Sequence, residues 1–440
     1  MSRLTRAFRT VGTTPGLLVA VLLSTLLGLA YSFVVPFMSM FGTREVGMSH
    51  VQFGLFMTVT SVSGIVISTY LARSSDTLWS RKSVLLLGGT SGALGYLGYA
   101  FVRNPLALTA IGALALGASS ISFSQIFAYA RETLEQSELE RVEIPFYMNF
   151  IRLFFALAWT VGPAIAAYLM THYSFRVTFS AAAFSYVLFC VLVALFVPWR
   201  PPSEASRAAA RAFPLWAVFK NRQLLAHFAA FSLYFCCSTM GMMDLPLLIL
   251  NELHGTERDV GTAYSLAPLF ELPLMFYVGV LATRVAHEKI IAAALALGVV
   301  YYAGLSLTGA PLQVFFLQAL SAAIVAVMSG VAITFFQNYL PNQAGSATNL
   351  YSTASRIGAI GGYLGFGVIG GALGHRAVFG VSVVLCGMAL AVLLFFRRPA
   401  GVLASTSTPG ETLAPLATVG DRRCALVEDD SPVLSLKSPE

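Results

Sequence analysis

The sequence predicts an all-α membrane protein of twelve transmembrane helices arranged as two six-helix pseudo-repeats, and three observations predict it. Hydrophobic residues make up 57% of the chain and charged residues only 11%. Soluble proteins carry roughly a quarter charged residues, so too little charge is present to cover a water-facing surface. The apolar residues fall in unbroken runs of about 20, the number a helix rising about 1.5 Å per residue needs to cross a hydrocarbon core. A polar stretch at 198–223, with Pro198, Pro201 and Pro202 followed by Arg207, Arg211, Lys220 and Arg222, divides those runs six and six.

Taken in order, the spans are predicted at 16–40, 51–72, 83–102, 106–130, 146–170 and 175–197, then at 224–250, 260–283, 290–309, 312–338, 348–372 and 377–396. The first follows Arg3, Arg6 and Arg9 as a signal peptide would, but it runs on with no small-residue cleavage site and is read as a retained helix. Short loops make consecutive helices antiparallel neighbours. The chain then divides into an N-terminal segment 1–14, a bundle 15–197, a linker 198–223, a bundle 224–396 and a Ser/Thr/Pro-rich tail 397–440, expected to be disordered.

Charge fixes an expected orientation. With the N-terminus inside, 20 of the 27 Lys and Arg fall in cytoplasmic segments, and five (Arg44, Arg103, Arg176, Arg258, Arg376) fall on the other side. This bias obeys the positive-inside rule and places both termini in the cytoplasm of a cell (inner) membrane protein. The net charge of +7 is spent on those loops and forms no basic face, which argues against nucleic acid. Cys190, Cys236, Cys237 and Cys386 lie inside apolar runs without ligand spacing, so no metal or cofactor is expected.

The halves carry weak internal symmetry. The first span ends Pro36…Arg44-Glu45-Val46-Gly47 and the seventh Pro246…Asn251-Glu252-Leu253-His254-Gly255. The two remaining cations, Arg152 and Arg356, fall in spans five and eleven. Parallel six-helix repeats around a central site are a transporter architecture.

Loop 71–82, with Asp76 and then Arg81-Lys82, resembles the signature loop of the major facilitator superfamily, although the Gly that usually follows the Asp is missing and the basic pair sits one residue late. An acid there can cap a helix or pair with a cation while one side is closed, so Asp76, Arg81 and Lys82 are candidate gating residues. The bland alternative is an ordinary positive-inside loop. A closer resemblance, over 15–396, is to the sugar efflux transporter family of that superfamily. Its residues are Arg44-Glu45-Val46-Gly47 with Gly54-Leu55-Phe56, Gln125-Ile126-Phe127-Ala128 with Ala130-Arg131-Glu132, and Arg152 with Leu157-Ala158-Trp159 and Gly162-Pro163. In the second half they are Asp244-Leu245-Pro246-Leu247, Glu271-Leu272-Pro273, Phe336-Gln337 and Leu340-Pro341 with Ala344-Gly345. The resemblance implies a major facilitator fold and proton-coupled export of small sugars or glycosides. The partners are then a small-molecule sugar, protons and the lipid bilayer, handled by a monomer.

Read on their own chemistry, Arg152 and Arg356 each cost about 2.5–3.5 kcal/mol at a helix centre, so each should face a cavity or a partner. A structural ion pair or snorkelling is the alternative. Glu271 near the middle of span eight and Asp244 in the outer part of span seven are the candidate proton-coupling acids, because loss of water disfavours the ionised form and lets a carboxyl cycle. Asp244 is equally open to pairing with an arginine. Gly162-Pro163 resembles a diluted antiporter motif, in which small residues allow close approach and proline allows bending. It reads equally as close packing. Gln125, Asn149, Gln318 and Asn349 offer planar amides to sugar hydroxyls, and Trp159 and Tyr31 offer ring faces; such amides also bond between helices. Gly365-Phe366-Gly367-Val368-Ile369-Gly370 spells a dinucleotide fingerprint but follows no strand, so it is read as helix packing. A drug or metabolite antiporter, and a non-transporting membrane receptor or scaffold, remain alternatives to sugar export. An enzyme is disfavoured because no catalytic pair converges at one depth.

Overall fold

The computed structural model describes residues 10–77, 79–137, 143–199, 221–339 and 344–396. Among these, twelve helices are long and apolar enough to cross a membrane. They are α1 (Gly16–Glu45), α2 (His50–Leu71), α3 (Arg81–Phe101), α4 (Pro105–Glu135), α5 (Phe146–His172) and α6 (Phe175–Phe196), then α7 (Arg222–Glu252), α8 (Glu257–Leu281), α9 (His287–Leu307), α10 (Pro311–Tyr339), α11 (Ala347–Leu373) and α12 (His375–Phe395). All lie in one compact unit, Met1–Arg397. Each predicted span falls on one of them. The expectations for 1–9, for 200–220 and for the tail from 397 lie outside the described residues.

Helix starts follow local chemistry. Asn104 Oδ1 accepts from the N–H groups of Leu106 (3.0 Å) and Ala107 (3.1 Å) ahead of Pro105, which lacks an N–H to satisfy. Asn221 Oδ1 does the same for Gln223 and Leu224 at the start of α7. Reciprocal caps open α2, through Ser49 and Gln52, and α8, through Thr256 and Asp259.

The pseudo-repeat is visible in packing. In the first six helices α1 lies on α5 and α6, α3 on α6, and α2 on α4; in the last six α7 lies on α11 and α12, α9 on α12, and α8 on α10. The two sets meet through α2 with α11 and α5 with α8. Two glycines permit those crossings. A Cβ on Gly54 would stand 2.6 Å from the Tyr363 carbonyl oxygen and 3.1 Å from Gly367 Cα. One on Gly261 would stand 2.5 Å from Ala167 Cβ and 2.8 Å from the Pro163 carbonyl oxygen. Gly367 belongs to the run that spells the dinucleotide fingerprint, and here it is a helix-crossing surface.

The first helix of each set also ends alike. Phe41–Glu45 and Leu248–Glu252 are π turns, closed by Val46 N–H on the Phe41 carbonyl (3.0 Å) and Leu253 N–H on the Leu248 carbonyl (3.1 Å). Met48 N–H then reaches the Gly42 carbonyl and Gly255 N–H the Ile249 carbonyl. Gly47 (φ 76°) and His254 (φ 52°) occupy the left-handed position that follows. In this register Arg44 matches Asn251, Glu45 matches Glu252, and Gly54 matches Gly261. Pro36 and Pro246 do not match each other. Pro246 sits inside α7, where it has no N–H for the Met242 carbonyl, and that carbonyl accepts the Tyr264 hydroxyl of α8 instead.

Candidate functional site

A cavity of about 320 Å³ opens between α1, α2, α3, α4 and α11. Its polar lining is unusual for a membrane interior: Tyr31, Thr60, Ser61, Tyr96, Tyr99, Ser119, Ser120, Ser355, Arg356 and Tyr363. Thr60 and Tyr99 stand next to one another with their hydroxyl oxygens buried. Met38, Met57, Val34, Val35, Ile65 and Leu116 supply the apolar remainder. Arg356 is the one cation in the lining, it has no ion-pair partner among the described residues, and its guanidinium lies within electrostatic range of Tyr31. A wall that mixes hydroxyls, ring faces and a single guanidinium suits a polyhydroxylated solute.

Of the sequence candidates, Tyr31 and Arg356 are brought together in this cavity, and the others lie elsewhere. Arg152 is exposed on α5, with its guanidinium 5.4 Å from the centroid of the Phe127 ring and in electrostatic range of Tyr351. Glu271 is half-buried on α8 and forms no ion pair among the described residues. Since α8 runs antiparallel to α5 and Gly261 meets Pro163 and Ala167, ten residues at about 1.5 Å each bring Glu271 to the level of residues just past Arg152. Trp159 is partly buried, and its indole N–H has no partner. Gln318 is buried beside Tyr301, with its amide nitrogen unpartnered. Asn149 and Asn349 are exposed. Gln125 is buried and accepts Nη1 of Arg81 at 2.8 Å; the same guanidinium grips Glu132 through Nε (3.0 Å) and Nη2 (2.5 Å). Lys82 donates to the Ala194 carbonyl at the end of α6 (2.7 Å). The backbone at Asp76 is helical, and its side chain lies outside the described residues. Gly162 is buried against Ser32 of α1, and Pro163 forms part of the α5–α8 crossing.

Asp244 has a histidine, not an arginine, for its partner. It is fully buried on α7, and its Oδ1 accepts Nδ1–H of His375 at 2.8 Å, while Oδ2 is unpartnered. Asn251 Nδ2 lies 2.9 Å from Nε2 of the same ring, and Asn251 Oδ1 accepts Nη2 of Arg44. The chain Asp244–His375–Asn251–Arg44 therefore ties α7 and α12 to α1. His50, at the start of α2, stands 5.5 Å from the His375 ring, and Arg376 reaches Glu252 at 3.6 Å. Apart from Tyr31, the sequence reading singled out neither His375 nor the hydroxyl-bearing residues of the cavity. Tyr96 and Tyr99, spaced three apart on one helix face, and the Thr60-Ser61 and Ser119-Ser120 pairs inside apolar runs were the available signal.

Twelve antiparallel spans, a doubled six-helix packing and a polar cavity at the meeting of the two sets define a membrane transporter of the secondary class. The Major Facilitator Superfamily model matches residues 20–247 and 228–429. A relative from Deinococcus radiodurans is 36% identical over 401 residues, spanning 87% of this chain and 98% of its own. Sugar efflux transporter A of Escherichia coli (strain K12) is 30% identical, with 84% of this chain and 93% of the relative aligned. Sugar efflux transporter B of Salmonella typhimurium is 32% identical, with 82% and 90% aligned. Among solved structures, the nucleoside transporter NupG superposes with a TM-score of 0.69 at 13% identity, covering 87% of this chain and 98% of that one. A POT family transporter in complex with a thioalcohol-conjugated peptide superposes at 0.71 and 12% identity, covering 86% and 96%. These two speak for the fold alone. The chain belongs to the sugar efflux transporter family of the Major Facilitator Superfamily.

Proposed function

We propose that this protein exports small sugars or glycosides in exchange for protons by alternating access. The observation that carries the reading is the cavity at α1, α2, α3, α4 and α11, which Arg356 and the hydroxyl-bearing Tyr31, Ser61, Ser120 and Ser355 help to line, a space within the range of small-molecule sites. The names of the relatives, which are sugar efflux transporters, support the same substrate class. The bundles at 15–197 and 224–396 are the rocking bodies, hinged across the α2–α11 and α5–α8 crossings. The positive-inside charge bias supports a cell (inner) membrane location with both termini cytoplasmic, so the end carrying Arg44 and His375 faces outward. A monomer holds the whole pathway. Protons are carried by acids within the spans: Glu271, which has no ion-pair partner, and Asp244.

Counterflow of a radiolabelled sugar in proteoliposomes tests the function: saturable exchange is expected for a neutral hexose or glycoside, and its absence together with exchange of lipophilic cations would move the protein to drug antiport. Glu271→Gln is expected to abolish proton-driven accumulation while leaving sugar-induced thermal stabilisation within about twofold of wild type. An unaltered pH dependence of transport in that variant removes Glu271 from the role.

A further inference from the structure

We infer that His375 is a proton-binding site of this transporter, and that a proton taken up on its Nε2 releases the tie between the two helix sets at the Arg44 end. The inference rests on alternating access as proposed above, and it concerns a residue outside the sugar cavity.

Hydrogen-bond polarity fixes the state of the ring. Arg44 can only donate, so the Asn251 atom that accepts from it is Oδ1 and the atom facing His375 is the Nδ2 amide group. That group is itself a donor, so His375 Nε2 must be a bare lone pair. The ring proton sits on Nδ1 and is donated to Asp244. Asp244 and Asn251 thus select one tautomer, with Nδ1 protonated and Nε2 bare. Adding a proton at Nε2 places an N–H against an NH₂ at 2.9 Å. Two donors cannot share that contact, and rotating the Asn251 amide to offer oxygen to the ring presents its NH₂ to the Arg44 guanidinium. Either way one link of the chain is lost. The link most exposed to loss is the one between α1 and α7, since Arg44 and Asn251 are exposed while His375 and Asp244 are buried.

The surroundings act in the same direction. The groups around the ring are Asp244, Asn251 and Glu252 from α7, Arg44 from α1, His50 from α2 and, behind Asp244, Tyr264 of α8, while Arg376 on its own helix reaches Glu252 and the Ser306 carbonyl. A cationic His375 neutralises the buried Asp244 carboxylate, whose second oxygen has no partner. It also sets like charge against Arg44 and next to the His50 ring, both of which belong to the first six helices. Glu252 is held by Arg376 at 3.6 Å. The proton therefore strengthens the contact inside the last six helices and weakens the contacts across to the first six. Histidine is the side chain whose unperturbed charge change falls between about pH 5 and 8.

Spin labels on introduced cysteines Arg176→Cys and Gly309→Cys, with the native cysteines replaced, report the separation of the two sets at this end in the full chain in nanodiscs, without sugar. From about pH 7.5 to about pH 5.5 a longer-distance population is expected to grow several-fold. His375→Gln, whose amide can donate to Asp244 and accept from Asn251 at any pH, is expected to keep the short distance throughout. Asn251→Asp, which accepts from both Arg44 and a protonated ring, is expected to stay closed at about pH 5.5. A wild-type distance that ignores pH, or a His375→Gln response matching wild type, overturns the inference. Opening of Asn251→Asp like wild type overturns it as well. Should a variant fail to fold, ¹⁵N-histidine spectra of the unmodified protein decide, because a proton on Nε2 of His375 at neutral pH contradicts the assignment. All these readings omit sugar, so an error in the substrate leaves them intact, and counterflow that fails while the pH response holds refutes only the export reading.

Discussion

The two corners at the Arg44 end, Phe41–Glu45 at the end of α1 and Leu248–Glu252 at the end of α7, have the same backbone and different fillings. In the first, Phe41 is fully buried and packs on Tyr99 (6.0 Å), Phe175 (5.6 Å) and Phe179 (4.6 Å), with the Arg103 guanidinium 5.2 Å from its ring. In the second, α12 begins at His375 where α6 begins at Phe175, and the pocket beneath it holds Asp244 in place of an aromatic ring. The π turn and left-handed residue are common to both, so the fold requires the turn and leaves its filling free. One corner is filled by aromatic rings, and the other carries a proton donor and acceptor in contact.

The largest effect expected from this comparison is in stability. His375→Phe copies the aromatic corner but strands Asp244 without a partner, and removing one member of a buried pair costs about 3–5 kcal/mol. Adding Asp244→Leu should recover most of that loss, since an apolar replacement of the whole pair is often neutral or better. Thermal unfolding in detergent measures both, and a double variant no more stable than the single one breaks the equivalence of the corners. The two crossings come next. Gly54→Val and Gly261→Val each drive a side chain into a facing backbone carbonyl, at about 1–3 kcal/mol of overpacking. Both should populate the form open at the Arg44 end, and label distances that shift for only one of them would show that the crossings are not equivalent. A third contrast sets the two arginines against each other. Arg356→Ala removes a charged donor from the cavity and should weaken sugar binding by about 1.5–3 kcal/mol, or roughly 10- to 100-fold. Arg152→Ala, outside the cavity lining, should change it less than about threefold by equilibrium binding.

How much of this was legible depends on what each feature costs the sequence. The spans were legible because a bilayer excludes charge over a whole helix length. Their ends were not, because Arg44-Glu45 and Asn251-Glu252 look like loop, while the helices continue through them as π turns. Arg356 stood out because a guanidinium at that depth is expensive. Thr60, Ser119 and Ser120 did not, since a hydroxyl can return its bond to its own helix, as Ser120 does to the Gly117 carbonyl. The acid at Asp244 was visible and its partner was not: His375 is 131 residues away, and only the α7–α12 packing brings the two together.

The Pro246 break has a mechanical consequence. The Met242 carbonyl, two residues before Asp244, is held by a hydroxyl that belongs to α8 and not by α7's own backbone. The continuity of α7 through Pro246, beside its buried acid, therefore rests in part on a neighbour. Any displacement of α8 that draws Tyr264 away withdraws the splint, and α7 becomes supple at the one level where its tilt decides whether Asp244 still meets the ring above it.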